Sequence, residues 1–267
     1  MKKVVASLLL IGMAVSMAAC GKSKSKNTFT VGFDQDFPPF GYVGDDGEYT
    51  GFDIEVAIEC AQRMGKEIVL QPIDWDAKDM ELEAGTIDCI LNGFTVNGRE
   101  DQYTWTDSYM DNTQVVVTKK DSGITTLDDL AGKIVEVQKE SSAQTALEDE
   151  ENADLLASFG DFLQVGEYNT AFMDLESGAV DAIAIDIGVA KFQLEGKEDD
   201  YVILDDVISS EQYAVGFLKG NDALRDEVQD ALMELVDDGT FAEISDKYFG
   251  YDVCTLKEGK IIDTGWR

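Results

Sequence analysis

The chain of 267 residues carries 54 acidic side chains against 21 Lys and Arg, which gives a formal net charge of −33. So acidic a protein does not bind DNA, RNA or an anionic bilayer by charge alone. The sequence contains no histidine, which excludes Ser-His-Asp and Cys-His catalysis and every zinc site built on imidazole. Hydrophobic residues make up 44% of the chain, enough for a folded core, and the length suggests one or two domains.

The first residues have the pattern of an export signal. Two lysines precede an apolar run that ends at Ala19 and that is short for a membrane span. The following Cys20 completes a stretch that resembles the lipobox of bacterial lipoproteins, which implies cleavage before this cysteine and lipidation of its sulfur. We therefore predict a signal peptide over residues 1–19 and a lipidated, basic tether over residues 20–26. A plain signal peptide with an incidental cysteine is the alternative.

Three further cysteines, Cys60, Cys89 and Cys254, follow the predicted tether. An odd number cannot all pair internally, and no CxxC spacing indicates a metal or redox site. We expect buried thiols, with a Cys60–Cys89 disulfide as the alternative. We predict neither a metal nor a cofactor.

Apolar runs bounded by turn residues alternate with amphipathic segments along the rest of the chain, which is typical of an α/β protein. The pattern predicts strands at Phe29–Phe33, Ile68–Pro72, Ile87–Leu91, Gln114–Lys119, Ile134–Gln138, Ala179–Ile185 and Tyr213–Leu218. It predicts helices at Asp53–Met64, Ala77–Glu83, Thr126–Leu130, Ala143–Leu147, Thr170–Glu176, Asp222–Val236 and Phe241–Tyr248.

One short motif occurs twice. Glu83-Ala-Gly-Thr-Ile-Asp-Cys-Ile90 recurs as Glu176-Ser-Gly-Ala-Val-Asp-Ala-Ile183, and in each copy a helix ends at the glycine before a buried strand begins. Two halves built alike would explain the recurrence, although so short a motif also recurs by chance. Polar residues follow both strands, Asn92 after the first and Asp186 after the second. Ligands bind at this edge of open α/β sheets.

Several motifs follow one another in a distinctive order between Asn27 and Gly250. They are Thr30-Val-Gly-Phe-Asp34, Phe37-Pro-Pro-Phe40, Gly47-Glu-Tyr-Thr-Gly-Phe-Asp53, Gly93-Phe-Thr95 with Arg99, Asp128-Asp-Leu-Ala-Gly-Lys133 and Asp238-Gly-Thr-Phe241. In this order the chain resembles the amino-acid-binding proteins of ABC importers, which form solute-binding protein family 3 with the type II periplasmic-binding-protein fold.

The resemblance implies an α/β fold of two Rossmann-like lobes joined by a two-strand hinge. Lobe 1 would comprise residues 27–108 and 214–267, lobe 2 residues 114–208, and the hinges residues 109–113 and 209–213. It also implies a monomer held by its lipid anchor at the extracellular face of the cell membrane. There it would capture an amino acid and deliver it to the transmembrane subunits of an ABC permease.

A free amino acid is a zwitterion, so a dry site must offer a cation to its carboxylate and acceptors to its ammonium. Arg99 lies close to the Gly-x-Thr loop, and its planar guanidinium can grip a carboxylate in a bidentate manner. We assign it this role, with Gly93 and Thr95 assisting, against an ordinary surface ion pair. We assign the ammonium to Asp186, for which a solvated helix cap is the alternative.

Further site residues carry weaker predictions. Ser141 and Ser142 begin a helix whose N–H groups favour an anion, or else simply cap it. The resemblance places Phe37 and Trp75 at apolar wall positions, for which core packing is the alternative. It also places Asp34 and Gln138 where family members contact the ligand side chain. An acid together with an amide favours a polar or cationic side chain.

Two features depart from the family pattern. The segment from Gly93 to Arg99 is one residue shorter than in many family members. This changes the angle at which the guanidinium would approach a ligand carboxylate. Glu140 stands in a stretch where family members commonly have Gly-Thr-Thr, so the backbone is less permissive there.

Two other classes of function are weighed against amino-acid capture. Some proteins with this fold are cyclohexadienyl dehydratases, but no general acid stands out in the sequence, and export with a lipid anchor favours capture. A sensing module of a receptor is a second alternative, although no second apolar span or signalling domain is recognisable. Sugar binding is disfavoured, because few aromatic residues reach the predicted cleft and Arg99 would lack an anionic partner.

Overall fold

The structure, a computed structural model, describes residues 27–256. The predicted signal peptide, the Cys20 lipidation site and the tether lie outside the described residues. Within the described part of the chain, no helix combines the length and the apolar character needed to cross a membrane.

Thirteen strands and eight α-helices alternate along the described chain. The strands are β1 Thr28–Phe33, β2 Asp36–Phe37, β3 Gly41–Val43, β4 Tyr49–Thr50, β5 Glu67–Pro72, β6 Cys89–Ile90, β7 Tyr103–Trp105, β8 Met110–Lys119, β9 Ile134–Gln138, β10 Asp161–Val165, β11 Ala182–Asp186, β12 Tyr201–Tyr213 and β13 Gly216–Leu218. The helices are α1 Phe52–Arg63, α2 Lys78–Ala84, α3 Ser142–Glu148, α4 Ala153–Ser158, α5 Tyr168–Ser177, α6 Ile187–Gln193, α7 Asp222–Asp237 and α8 Thr240–Phe249. Short 3₁₀ turns lie at Trp75–Ala77, Leu127–Leu130 and Glu150–Asn152.

Two five-stranded sheets share one topology. Their strand orders are β5-β1-β6-β13-β7 and β10-β9-β11-β8-β12. In each sheet the first three strands of the order are parallel, and the fourth joins them antiparallel. The prediction of an α/β fold with two lobes is therefore confirmed. A third, small sheet has the order β2-β3-β4.

The repeated sequence motif occupies the same position in both sheets. The backbone N–H of Asp88 donates to the carbonyl of Thr30 at 2.8 Å, and the N–H of Thr30 donates back to the Asp88 carboxylate at 2.7 Å. Asp181 and Ile134 exchange the same two bonds at 2.9 and 2.8 Å. In both copies the helix ends at the glycine of the motif with a positive φ, 68° and 79°. The two halves are built alike.

The chain crosses between the sheets twice, from β7 to β8 and from β12 back to β13. At the crossing, β8 and β12 pair antiparallel, with Met110 opposite Tyr213 and Asn112 opposite Glu211. The predicted hinge segments, 109–113 and 209–213, thus run beside each other as paired strands. The lobe boundaries themselves stay a prediction.

Apolar packing continues from one lobe to the other. The largest cluster of buried hydrophobic side chains contains Phe29 and Val31 of β1 together with Ile183 and Ile185 of β11. Cys60 and Cys89 also belong to this cluster, and both are buried, as expected.

Several elements differ from the sequence-based expectation. The predicted strand Tyr213–Leu218 is divided, because Tyr213 ends β12 and β13 begins at Gly216. The strand expected at Ala179–Ile185 starts later, at Ala182. Strands β2, β3, β4, β7, β10 and β12 and helices α4 and α6 were not predicted. Strand β10 contains no buried residue, so it lacks the apolar run that marks a buried strand.

Candidate functional site

One pocket between the two sheets collects every residue that the sequence singled out for ligand binding. The residues that line it are Asp34, Phe37, Trp75, Asn92, Gly93, Thr95, Arg99, Gln138, Ser141, Ser142 and Asp186.

The strands explain why these residues meet. Asp34 follows β1 and Asn92 follows β6 in one sheet, while Gln138 and Asp186 are the last residues of β9 and β11 in the other. The carboxyl ends of parallel strands therefore point into the pocket from both sides, as the rule for open α/β sheets predicts.

Arg99 supplies the cation of the pocket. The side chain is buried, with 7% of the residue exposed, and its guanidinium donates to the carbonyls of Thr95 at 3.3 Å and Glu140 at 3.2 Å. It lies 5.6 Å from the ring of Phe94. Among residues 27–256, no carboxylate lies within 4.0 Å of it, so the surface ion pair weighed as its alternative does not form there. Burial lowers the pKa of Arg99, but a guanidinium remains charged.

Asp53 holds the loop on which this part of the site depends. Its carboxylate accepts the N–H of Gly93 at 2.5 Å and the hydroxyl of Tyr109 at 3.0 Å. Gly93 has a φ of 58°, which favours glycine. Asp53 is fully buried, and burial raises its pKa to about 7. The sequence placed Asp53 in a family motif without giving it a role in the site.

Thr95 presents a polar atom to the pocket. Its hydroxyl oxygen is buried and has no hydrogen-bond partner in the described part of the chain, and the residue lines the pocket beside Gly93. A buried hydroxyl without a partner costs about 1–3 kcal/mol, which a ligand oxygen beside it would offset.

Asp186 is the acid of the opposite sheet. It is 2% exposed, and its Oδ1 accepts from the amides of Asn112 at 2.8 Å and Gln114 at 2.7 Å and from the hydroxyl of Tyr213. Its side chain makes no capping bond to α6, so the helix-cap alternative does not hold. Burial first, and then the neighbouring Glu211, raise the pKa of Asp186.

Sequence reasoning missed the residues that surround Asp186. Asn112 and Gln114 on β8, and Glu211 and Tyr213 on β12, stand two residues apart, so each pair shares one face of its strand. Glu211 is also buried, with 5% exposed.

Within the described range no group of three or more His, Cys, Asp or Glu is arranged to hold a metal ion.

Asp34 and Gln138 meet across the pocket. The amide of Gln138 donates to the Asp34 carboxylate at 2.7 Å and to the carbonyl of Gly166 at 2.9 Å. The other carboxylate oxygen of Asp34 accepts the N–H of Asp36 at 2.8 Å. Burial raises the pKa of Asp34 to about 6.

Two aromatic residues line the pocket and pack in the core at the same time. The ring of Phe37 stacks on Phe40 at a centroid distance of 5.6 Å. The indole of Trp75 meets Phe94 edge to face at 5.5 Å. The predicted wall role and the packing alternative are therefore compatible at both positions.

The two serines at the start of α3 differ in their contacts. The hydroxyl of Ser141 accepts the N–H of Gln144 at 3.1 Å, so it caps the helix. The hydroxyl of Ser142 accepts from the amide of Gln114 at 2.9 Å. Ser141 therefore has the helix-capping role that was the alternative for Ser141 and Ser142.

Glu140 shows how the chain accommodates its departure from the family pattern. Its φ is 61°, in the left-handed region that a glycine would enter more readily. In this conformation its carbonyl accepts from Arg99 and from the indole N–H of Trp75, each at 3.2 Å. The irregular backbone thus connects the second lobe to the first. Lys139 and Asp76 add an ion pair of 2.7 Å between the same two segments.

The fold and the pocket define a class of protein: two α/β lobes, connected by paired strands, with a polar pocket between them. The chain belongs to the bacterial extracellular solute-binding proteins, family 3, whose model matches residues 29–251.

Relatives of known character cover nearly the whole chain. The L-cystine-binding protein TcyJ of Escherichia coli K12 is 32% identical over 257 residues, 94% of each chain. The arginine-binding extracellular protein ArtP of Bacillus subtilis is 30% identical over 91% of this chain and 96% of its own. The crystal structure of an ABC uptake transporter substrate-binding protein from Streptococcus pneumoniae with bound histidine matches with a TM-score of 0.81. It is 38% identical and covers 86% of this chain and 95% of that one.

The buried carboxyl of Asp53 predicts a pH-dependent stability. Because its pKa in the folded protein lies above that of an exposed aspartate, its stabilising contribution is complete below about pH 4 and is lost as the pH rises through about 7. An asparagine at this position would stay neutral at every pH. We therefore expect the free energy of unfolding of Asp53→Asn, relative to the unsubstituted protein, to rise by about 1–4 kcal/mol between pH 4 and pH 8.

Urea-induced unfolding at pH 4, 6 and 8 measures this difference. The exposed Asp121 provides the control, because Asp121→Asn should give nearly the same difference at each pH. A difference for Asp53→Asn that does not change with pH would contradict the prediction.

Proposed function

We propose that this protein is the extracellular substrate-binding component of an ABC amino-acid importer. It captures a polar or cationic L-amino acid by closure of its lobes and delivers it to the transmembrane subunits of a membrane permease. The observation that carries the proposal is that one pocket contains the buried Arg99 from one lobe and the buried Asp186 from the other. Two opposite charges at opposite walls match the two charged ends of a zwitterion.

The carboxylate end of the ligand is assigned to the loop around Arg99. The guanidinium, the hydroxyl of Thr95 and the backbone at Gly93 surround one side of the pocket. The unpartnered hydroxyl of Thr95 supports this assignment, because it can donate to a ligand oxygen. A charge-assisted bond from the guanidinium would be the strongest contact of the site.

The ammonium end is assigned to Asp186. The amides of Asn112 and Gln114 and the hydroxyl of Tyr213 all bond to its Oδ1, so Oδ2 is the atom assigned to the ammonium. Three donors also fix the orientation of the side chain, so it needs little rearrangement when a cation binds.

The side chain of the ligand is assigned to the wall formed by Asp34, Gln138, Phe37 and Trp75. An acid and an amide between aromatic rings suit a polar or cationic group that has an apolar stem. The relatives that are named for cystine and arginine, and the relative with bound histidine, support a ligand of this class.

Closure of the two lobes is proposed because the groups assigned to the ligand lie in different lobes. With Arg99 in the lobe of residues 27–108 and Asp186 in the lobe of residues 114–208, one ligand bridges both and favours the closed form by its higher affinity for it. The hinge is assigned to residues 109–113 and 209–213, whose strands pair at the crossing. The protein acts as a monomer, anchored through a lipid on Cys20 at the outer face of the membrane.

The protein is proposed to bind its ligand without transforming it. A dehydratase related to cyclohexadienyl and prephenate dehydratases is the alternative on this fold. Incubation with prephenate distinguishes the two, because the appearance of phenylpyruvate would establish the enzyme.

Removal of the Arg99 guanidinium should weaken binding strongly. We expect Arg99→Ala to reduce the affinity for the best-binding amino acid by about 2–5 kcal/mol, since one partner of a buried charge pair is then left alone. Isothermal titration calorimetry measures the effect. Arg63→Ala is the matched control, because Arg63 pairs with Glu59 and Asp238 on another face of lobe 1. An affinity that Arg99→Ala leaves unchanged would remove Arg99 from the site.

Asp34 should determine the preference for a cationic side chain. L-arginine and L-citrulline have nearly the same shape, but only arginine carries a side-chain charge, so their affinity ratio isolates the effect of charge. We expect the unsubstituted protein to favour arginine by about tenfold or more and Asp34→Asn to bring the ratio close to one. Competition titrations at pH 8, where Asp34 is ionised, measure both ratios. A ratio that survives the substitution would place the discriminating acid elsewhere.

A further inference from the structure

Two buried carboxylates share the same donors beside the pocket. The amide of Asn112 donates to Asp186 at 2.8 Å and to Glu211 at 2.7 Å. The amide of Gln114 donates to each of the two acids at 2.7 Å. Asp186 and Glu211 are 2% and 5% exposed, so bulk water does little to separate their charges.

In the described part of the chain, neither acid of this pair forms a direct ion pair with a base. Arg99 attracts both carboxylates, yet across residues 27–256 no Lys or Arg lies within 4.0 Å of either. The titratable groups that face the pair from the surrounding elements are Tyr213 of β12 and Tyr168 of α5. Burial raises the pKa of both phenols well above the ordinary value, so they act as neutral donors. The pair therefore has two acids and no adjacent cation.

Two carboxylates in one site cannot both ionise without a large cost, and such pairs hold a proton between them. An ammonium group placed beside them removes that cost. We propose that Asp186 and Glu211 act as one carboxylate pair that retains a shared proton until the α-ammonium of the ligand binds, and then releases it to solvent. The pair changes from a charge of −1 to −2, the ammonium contributes +1, and the proton passes to the buffer.

Glu211 is a positioning residue in this scheme. Asp186 lines the pocket and meets the ammonium, whereas Glu211 acts from behind it through Asn112, Gln114 and the hydroxyl of Ser142 at 3.4 Å. Asn112 and Glu211 are direct partners in the ladder of β8 and β12. Glu211 and the amides that bond to it therefore lie on β8 and β12, the two strands that connect the lobes. The inference rests on the proposed function, since the ammonium is that of an amino acid.

The proposal predicts that ligand binding releases protons. Calorimetric titration of L-arginine, L-histidine or L-cystine, whichever binds most tightly, in two buffers of different ionisation enthalpy at pH 7 gives the number released. We expect between about one half and one proton per ligand from the pair, and we expect Glu211→Gln to lose most of this release. The affinity of the unsubstituted protein should rise between pH 5 and pH 8, whereas that of Glu211→Gln should be flatter.

Asp34 is a second acid in the pocket and requires its own control. Asp34→Asn should still release protons, because Asp186 and Glu211 remain. Equal release from the unsubstituted protein and Glu211→Gln would overturn the inference, and so would binding without any release. A merely structural role for Glu211 would lower affinity at every pH and leave the proton count unchanged.

A further readout makes the test independent of the Glu211→Gln variant. Infrared difference spectra of Asp34→Asn must also lose a protonated-carboxyl band when ligand is added, and a constant band would overturn the inference. An amino acid that binds without proton release leaves the proposed function intact, whereas the absence of any binding overturns both.

Discussion

The pocket is governed by one constraint, the free-energy cost of moving a charged side chain out of water. An isolated ion in a dry interior costs several kcal/mol even after relaxation, yet Arg99 and Asp186 are both buried at one pocket. Each is held by neutral partners, carbonyls around the guanidinium and amides and a phenol around the carboxylate. Such partners keep the charges in place without neutralising them, so in the proposed function the attraction is left for a ligand that carries both opposite charges.

The paired strands at the crossing connect this chemistry to the motion. β8 and β12 join the lobes and also carry the donors and the second acid that surround Asp186. On the opposite wall, the backbone of Glu140 reaches Arg99 and Trp75 from the other lobe. In the proposed function, binding and closure therefore involve the same groups. A ligand that engages both walls changes the relative stability of open and closed forms by the difference in its affinity for them.

Much of the site could be predicted from sequence because strand ends converge in α/β sheets. Asn92 and Asp186 each follow an apolar run at matching strand ends, so topology placed them at the ligand-binding edge. The resemblance to the family placed Asp34 and Gln138 in the same site. Glu211 gave no such signal, since its role arises from a pairing with β8 about a hundred residues earlier. The pocket roles remain assignments from geometry and chemistry. The sequence marked Glu140 as a departure from the family pattern, but it did not predict that the carbonyl of Glu140 would accept from Arg99 and Trp75.

The most direct test of the two-charge pocket compares one amino acid with its two truncated analogues. The amino acid with the largest thermal shift would be titrated calorimetrically beside its decarboxylated amine and its deaminated acid. Because each analogue strands one buried charge, the account predicts that each binds about a hundredfold more weakly or worse. An analogue that lacks either charged end and still binds as tightly as the amino acid would contradict the account.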